Sequence, residues 1–230
     1  MDLVGHRGDP RHAPENTLAS LETAWRHGRR AVEFDVRASR DGVPILFHDA
    51  TLDRVTSDAG PVANRAWERL QTLDVGSWFG RAFADERLVS LAQVLHAFRR
   101  RPITMFIELK VAGLERAVHR AIWEAGMVDR CRIASSHTAA LVACRRLRPR
   151  LLLYRVTGYG QPITPRMVSW AGRVGLHGLL SFKRWVVPGL AARLRAANLE
   201  LYVWTIRTAA EQARMRRLGV TGVMTEWCRR

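Results

Sequence analysis

At 230 residues and 47% hydrophobic, the chain is long enough for one sizeable core and short for two. No stretch approaches the roughly 18 uninterrupted apolar residues of a membrane span, so no such span is expected. The formal charge is +16, yet all but two of the 37 cationic side chains are arginine, lysine occurring only at Lys110 and Lys183. An excess that lopsided, spread over many helices, reads as codon usage and a solvated basic surface. It argues against a nucleic-acid partner, although the field would draw anionic substrates towards a cleft.

The first residues, Met1 to His6, lack a basic region followed by an apolar core, so no signal peptide is expected. Cys131, Cys144 and Cys228 are odd in number and have no paired spacing. They predict free thiols and, with them, a reducing, cytoplasmic location.

In chain order, β-rich runs alternate with amphipathic helices. The predicted strands are residues 3–5, 31–36, 104–109, 132–135, 151–156, 178–182, 201–206 and 222–225. Helices are predicted over 16–27, 91–100, 114–125, 139–148, 165–173, 188–197 and 209–218, several closed by Gly or Pro. The first has Pro14 at its entrance and Gly28 at its end, with Leu18, Leu21, Ala24 and Trp25 on one face. Eight strands with interleaved helices in 230 residues predict a (β/α)8 TIM barrel forming one domain over 1–230. One segment breaks the rhythm after the second strand. The turn at Asp41-Gly42 leads into a short strand over 43–47 that brings His48 back over the mouth. The stretch 51–87 reads as an insertion covering the active-site mouth, with Trp67, Trp78, Phe79 and Phe83 forming either its own small core or an apolar groove.

The charged residues that matter lie at strand ends. Glu33 and Asp35 are two apart in an apolar run, so a strand puts both carboxylates on one face. Like charges on one face repel unless a cation lies between them, and a hard divalent metal suits that place. His6 and Arg7 end the first strand, Glu108 and Lys110 the third, Trp204-Thr205 and Thr225-Glu226 the last two. All therefore converge on the C-terminal rim, where barrels carry their chemistry. Pairing of Glu33 and Asp35 with Arg30 or Arg37 is the structural alternative, but it leaves Glu108 unexplained.

The ordered set Gly5-His6-Arg7-Gly8, Pro14-Glu15-Asn16-Thr17, Glu33-Phe34-Asp35-Val36, Asp41-Gly42 with His48-Asp49, Leu52-Asp53-Arg54, residues 74–79, Glu108-Leu109-Lys110, Ser135-Ser136 and Val203-Trp204-Thr205 resembles the glycerophosphodiester phosphodiesterase family. The resemblance spans almost the whole chain. It implies that Glu33, Asp35 and Glu108 hold Mg²⁺ or Ca²⁺, that His6 and His48 are the acid–base pair, and that the substrate is a small phosphodiester. Arg7 and Lys110 would contact phosphate oxygens, and Trp204 would line the substrate pocket unless it packs in the core. A lysophospholipase D-like activity and a non-catalytic phosphodiester- or nucleic-acid-binding barrel are the alternatives. His12, His27, His96, His119 and His177 match no motif and read as surface or packing residues. Three positions depart from the family pattern, Val55, Glu226 and His137. None is expected to touch the metal or acid–base set, and Glu226 and His137 are expected to shape the outer pocket.

Overall fold

The computed structural model describes residues 1–147 and 150–226. Cys228 lies outside the described residues. Strands run β1 (Asp2–His6), β2 (Ala31–Ala38), β3 (Pro44–Leu46), β4 (Thr104–Leu109), β5 (Cys131–Ser135), β6 (Leu152–Val156), β7 (Gly178–Phe182), β8 (Glu200–Ile206) and β9 (Gly222–Thr225). The helices are α1 (Leu18–Arg26), α2 (Trp67–Leu70), α3 (Leu91–Phe98), α4 (Glu115–Glu124), α5 (Thr138–Leu147), α6 (Pro165–Val174), α7 (Leu190–Ala196) and α8 (Ala209–Arg217). Eight strands pair in parallel in the order β1-β9-β8-β7-β6-β5-β4-β2, and β1 pairs with β2 to close the sheet. The architecture is the (β/α)8 barrel that the alternation predicts. The extra strand β3 runs antiparallel to β2, with Val36 opposite Leu46 and Ala38 opposite Pro44.

Period-two alternation divides each strand between two cores. On β2, Val32, Phe34 and Val36 face the helices and join the large core with Leu21 and Ala24 of α1. Glu33 and Asp35, on the opposite face, point into the barrel. The barrel interior below them is filled by Val4, Phe106, Ala134, Tyr154, Leu180 and Tyr202. Its floor is polar. The Tyr202 hydroxyl donates to Asp2 at 2.7 Å and accepts from Arg132 at 2.7 Å, while Arg132 lies over the Phe106 ring. Gly222 makes room for that floor, because a Cβ there would lie 2.4 Å from the Tyr202 ring.

Helix boundaries follow capping chemistry. Ser90 and Gln93 form a reciprocal capping box at the start of α3. Thr164 caps α6, Pro165 occupies its first turn, and Gly175 ends it in the left-handed conformation. The first helix starts two residues later than its sequence pattern suggests. Thr17 is the cap, and Asn16 leaves the helix with φ 58°. The side-chain amide of Asn16 pairs with Asp35 instead.

The segment between β3 and α3 carries its own aliphatic core of Leu52, Val55, Val62, Leu70, Leu73, Val75 and Leu88, packed on Ile45 and Phe47. Of the four aromatic residues expected to form either that core or an apolar groove, Trp67 packs against the core. Trp78, Phe79 and Phe83 stack edge-to-face apart from it, and Trp78 is 44% exposed. Cys131 opens β5 and Cys144 lies in α5; both are buried free thiols, pushed up to about 12 by burial. No helix among the described residues is long and apolar enough to cross a membrane.

Candidate active site

Strand register brings the rim residues together in pairs. His6 of β1 is opposite Glu33 of β2, and Asp35 of β2 is opposite Glu108 of β4. One oxygen from each of Glu33, Asp35 and Glu108 lies within 4.8 Å of the other two. That span matches ligands placed about 2.3–2.6 Å from one shared cation. The Glu33 Oε1 atom is buried with no hydrogen-bond partner. Burial, then the nearby charges of Asp35 and Glu108, pushes the Glu33 carboxyl well above its ordinary range. A divalent ion would supply both the missing partner and the missing charge, and an all-oxygen donor set suits a hard ion better than zinc. The three residues therefore fit a bound metal.

Two cations hold the neighbouring carboxylate. Lys110 Nζ lies 3.0 Å from Asp35 Oδ1 and 2.9 Å from Glu108 Oε1, and Arg7 Nε lies 3.2 Å from Asp35 Oδ2. Burial alone would raise Asp35. Lys110 and Arg7 outweigh it, and the carboxyl sits well below the usual range. The Asn16 side chain closes a two-way pair with Asp35, donating to Oδ2 at 2.9 Å and accepting the Asp35 amide at 3.0 Å. The pairing with Arg30 or Arg37 does not form: Arg30 stacks on Trp25, and Arg37 donates to the His48 carbonyl.

The loop after β1 is set by backbone as much as by side chains. Arg7 takes φ 55° and Gly8 φ 88°, and a Cβ at Gly8 would lie 2.4 Å from Ser20 Oγ. That turn lets the Arg7 amide donate to Glu33 Oε2 at 3.0 Å while its guanidinium pairs with Glu15 at 2.7 Å.

Both histidines line one cavity of about 300 Å³, together with Arg7, Asp35, Glu108, Lys110, Tyr159 and Trp204. Each is braced in the same way. His48 Nδ1 is 2.6 Å from Asp49 Oδ1, and Arg54 pairs with both Asp49 and Glu15. His6 Nδ1 is 3.3 Å from Glu226 Oε1, and Arg207 pairs with Glu226 at 2.7 Å. A carboxylate only accepts, so each imidazole carries a proton on Nδ1 and turns Nε2 elsewhere. His6 Nε2 is 3.9 Å from Glu33 Oε2. Burial holds His48 below the ordinary imidazole value. Burial opposes ionisation of Glu226, but bonds from His6 and Arg207 hold it at about 2.

This overturns one expectation. Glu226 does touch His6, one of the two imidazoles expected to form the acid–base pair, because closure of the barrel brings the end of β9 beside β1. His137 stays exposed, with its Nε2 3.0 Å from the Lys110 carbonyl. Glu15, Asn16, Asp49 and Arg54 also carry contacts that the motifs alone did not assign. Trp204 lines the cavity while packing on Tyr159 and Phe182 at ring distances of 4.8 and 5.3 Å, so pocket and packing roles coincide. Of the five histidines without a motif, His12 and His27 meet on one carboxylate, that of Asp9.

Residues 6–227 match the model of the glycerophosphoryl diester phosphodiesterase family. The chain belongs to that family. A glycerophosphodiester phosphodiesterase of Caldanaerobacter subterraneus subsp. tengcongensis is 30% identical over 234 residues, covering 97% of this chain and 93% of the relative. Human glycerophosphodiester phosphodiesterase 1 is 32% identical over 244 residues, covering 93% of this chain and 74% of the relative. Among solved structures, an Oleispira antarctica phosphodiesterase in complex with the product sn-glycerol-3-phosphate superposes with a TM-score of 0.90. Its sequence is 26% identical, and the match covers 99% of this chain and 94% of that one.

Proposed function

We propose that this family member hydrolyses glycerophosphodiesters to glycerol 3-phosphate and an alcohol, with His6 and His48 as the acid–base pair and Glu33, Asp35 and Glu108 as ligands of Mg²⁺ or Ca²⁺. One observation carries the reading: two imidazoles, each braced through Nδ1 by an arginine-held carboxylate, line one cavity with Asp35 and Glu108 of the three-carboxylate cluster. When bound, the metal supplies positive charge beside a non-bridging phosphate oxygen.

The rest is done by the chain. Breaking a P–O ester requires one proton removed from the nucleophile and one delivered to the departing alkoxide. His48, whose imidazolium burial disfavours, suits removal by taking the nucleophile's proton on Nε2; His6 acts from its imidazolium form, keeping Nδ1–H on Glu226 and giving its Nε2 proton to the alkoxide. The same two transfers serve water or the adjacent glycerol hydroxyl as nucleophile; the hydroxyl route gives a cyclic phosphate that water opens. Lys110 and Arg7 are ionised and fixed, Lys110 by Asp35 and Glu108 and Arg7 by Asp35 and Glu15, so their charge is in place before substrate arrives. Trp204 and Tyr159 form an apolar wall for the alcohol side.

The lysophospholipase D-like alternative needs an acyl groove in the 51–87 segment. The aliphatic side chains of that segment and Trp67 turn inward into its own core, which leaves Trp78, Phe79 and Phe83 as the side chains such a groove would have to use. The non-catalytic alternative is disfavoured by the intact set of two histidines and three carboxylates. We further propose that 51–87 is the insertion at the mouth of a single domain, since Arg54 from it reaches Glu15 and Asp49. A panel of glycerophosphodiesters and lysophospholipids assayed with Mg²⁺, Ca²⁺ and Mn²⁺ tests the reading. Turnover confined to glycerophosphodiesters is expected; turnover of lysophospholipids alone would overturn the substrate class.

A further inference from the structure

Among the described residues, one group of side chains besides the carboxylate cluster has the composition of a metal site. Asp9 is almost fully buried, and its two oxygens accept from different rings: Oδ1 lies 2.9 Å from His12 Nδ1 and Oδ2 lies 2.8 Å from His27 Nδ1. The two imidazoles meet edge to face with centroids 4.9 Å apart. One carboxylate oxygen and one nitrogen from each ring all lie within 4.8 Å of one another. We propose that Asp9, His12 and His27 form a second metal site, selective for a borderline transition ion such as Zn²⁺, that clamps the His6–Arg7 loop to α1.

Donor chemistry separates this site from the first. Two imidazoles and one carboxylate are the ligands that zinc and its neighbours prefer, whereas Mg²⁺ and Ca²⁺ favour an all-oxygen set. The rings are ready to bind. Their side chains are 37% and 41% exposed, so each can move its proton from Nδ1 to Nε2 at the solvent face while Nδ1 takes the ion. No net proton is gained or lost in that exchange. Solvent supplies the remaining coordination positions, as it does at open zinc sites.

The placement gives the ion a consequence. Asp9 is two residues beyond Arg7, and its amide donates to Ser20 Oγ at 2.8 Å. Ser20 Oγ in turn donates to the Arg7 carbonyl at 2.9 Å. His27 is the cap residue at the far end of α1. An ion held by Asp9, His12 and His27 therefore ties the loop bearing His6 and Arg7 to the end of α1 across eighteen residues of chain.

Calorimetric titration of Zn²⁺ into chelator-stripped full-length protein, with Mg²⁺ in excess to occupy the carboxylate cluster, tests the proposal. One equivalent should bind the wild type and raise its melting temperature. His12→Ala and His27→Ala should each weaken that binding by more than about tenfold, the loss that changes outside the ligand shell already produce. Glu108→Gln should retain it, and Co²⁺ in place of Zn²⁺ should give a visible absorption band that both histidine variants lack. Absence of Zn²⁺ uptake by the wild type, uptake unchanged in both histidine variants, or uptake lost in Glu108→Gln would each overturn the proposal.

Discussion

The Glu226 carboxylate lies 3.3 Å from His6 Nδ1 across 220 residues of sequence. It fixes the tautomer of the imidazole and directs Nε2 towards Glu33 and the cavity. Arg207 holds the carboxylate in turn, so His6 is positioned by residues from the last two barrel strands and their loops.

Replacing Glu226 should therefore change rate more than binding. Glu226→Gln is expected to lower kcat by about 10- to 100-fold with KM little altered, the size of effect typical of a residue that orients another. Glu226→Asp should recover part of the loss. Steady-state kinetics on glycerophosphocholine decides it, and an unchanged kcat would remove Glu226 from the site.

The same residue gives a pH signature in stability. Glu226 is held at about 2 against an ordinary 4.5, so the folded state binds its proton less tightly than the unfolded chain. Its contribution is complete above about pH 5 and lost as pH falls through about 4.5 to 2. The melting-temperature advantage of wild type over Glu226→Gln should shrink across that window and be gone at its lower end.

Loss of either acid–base residue should remove about 10²- to 10⁴-fold in kcat, the range typical of general acid–base catalysis. His6→Ala and His48→Ala are each expected to keep the circular dichroism and melting temperature of the parent closely. Near-normal turnover in either would dismiss that residue. Because His48 is held below its ordinary 6.5, the acid limb of kcat/KM should fall below that value.

Chelation should abolish turnover and Mg²⁺ or Ca²⁺ restore it. Glu33 gives a sharper test, since its raised carboxyl binds a proton more tightly folded than unfolded. Metal-free protein should thus lose stability as pH rises above about 4.5, the unfolded value of a glutamate. Glu33→Gln should remove that loss while also removing the rise in melting temperature on adding Mg²⁺. A metal response that survives in Glu33→Gln would take it out of the ligand set.

Packing of the barrel floor predicts a purely structural defect. Gly222→Ala would place a methyl 2.4 Å from the Tyr202 ring and 3.0 Å from Asp2 Cβ. Relief of such overpacking costs typically about 1–3 kcal/mol. Urea unfolding should show that loss, with KM unaltered because the floor lies at the other end of the barrel from the cavity.

What could be read from the sequence was local periodicity. Alternation along β2 puts Glu33 and Asp35 on one face, whereas Glu108 joins them as third ligand through the family resemblance, and the β2–β4 register sets it opposite Asp35. The bracing residues do not follow from any local rule. Glu226 reaches His6 only because β9 closes on β1, and Arg54 reaches Glu15 only because the segment after β3 folds back. Asn16 departs from the helical pattern for a related reason, since its side-chain amide is held by Asp35. His12 and His27 carry no signal in sequence, since a loop and a helix end bring them to Asp9.

The seam between β1 and β9 also orders events in folding. His6 on β1 and Glu226 just beyond β9 lie 220 residues apart in sequence, so the brace on His6 exists only once β9 has docked on β1. Recovery of turnover during refolding should then lag the burial of the main core and follow the docking of the last strand. Catalysis becomes a reporter of barrel closure.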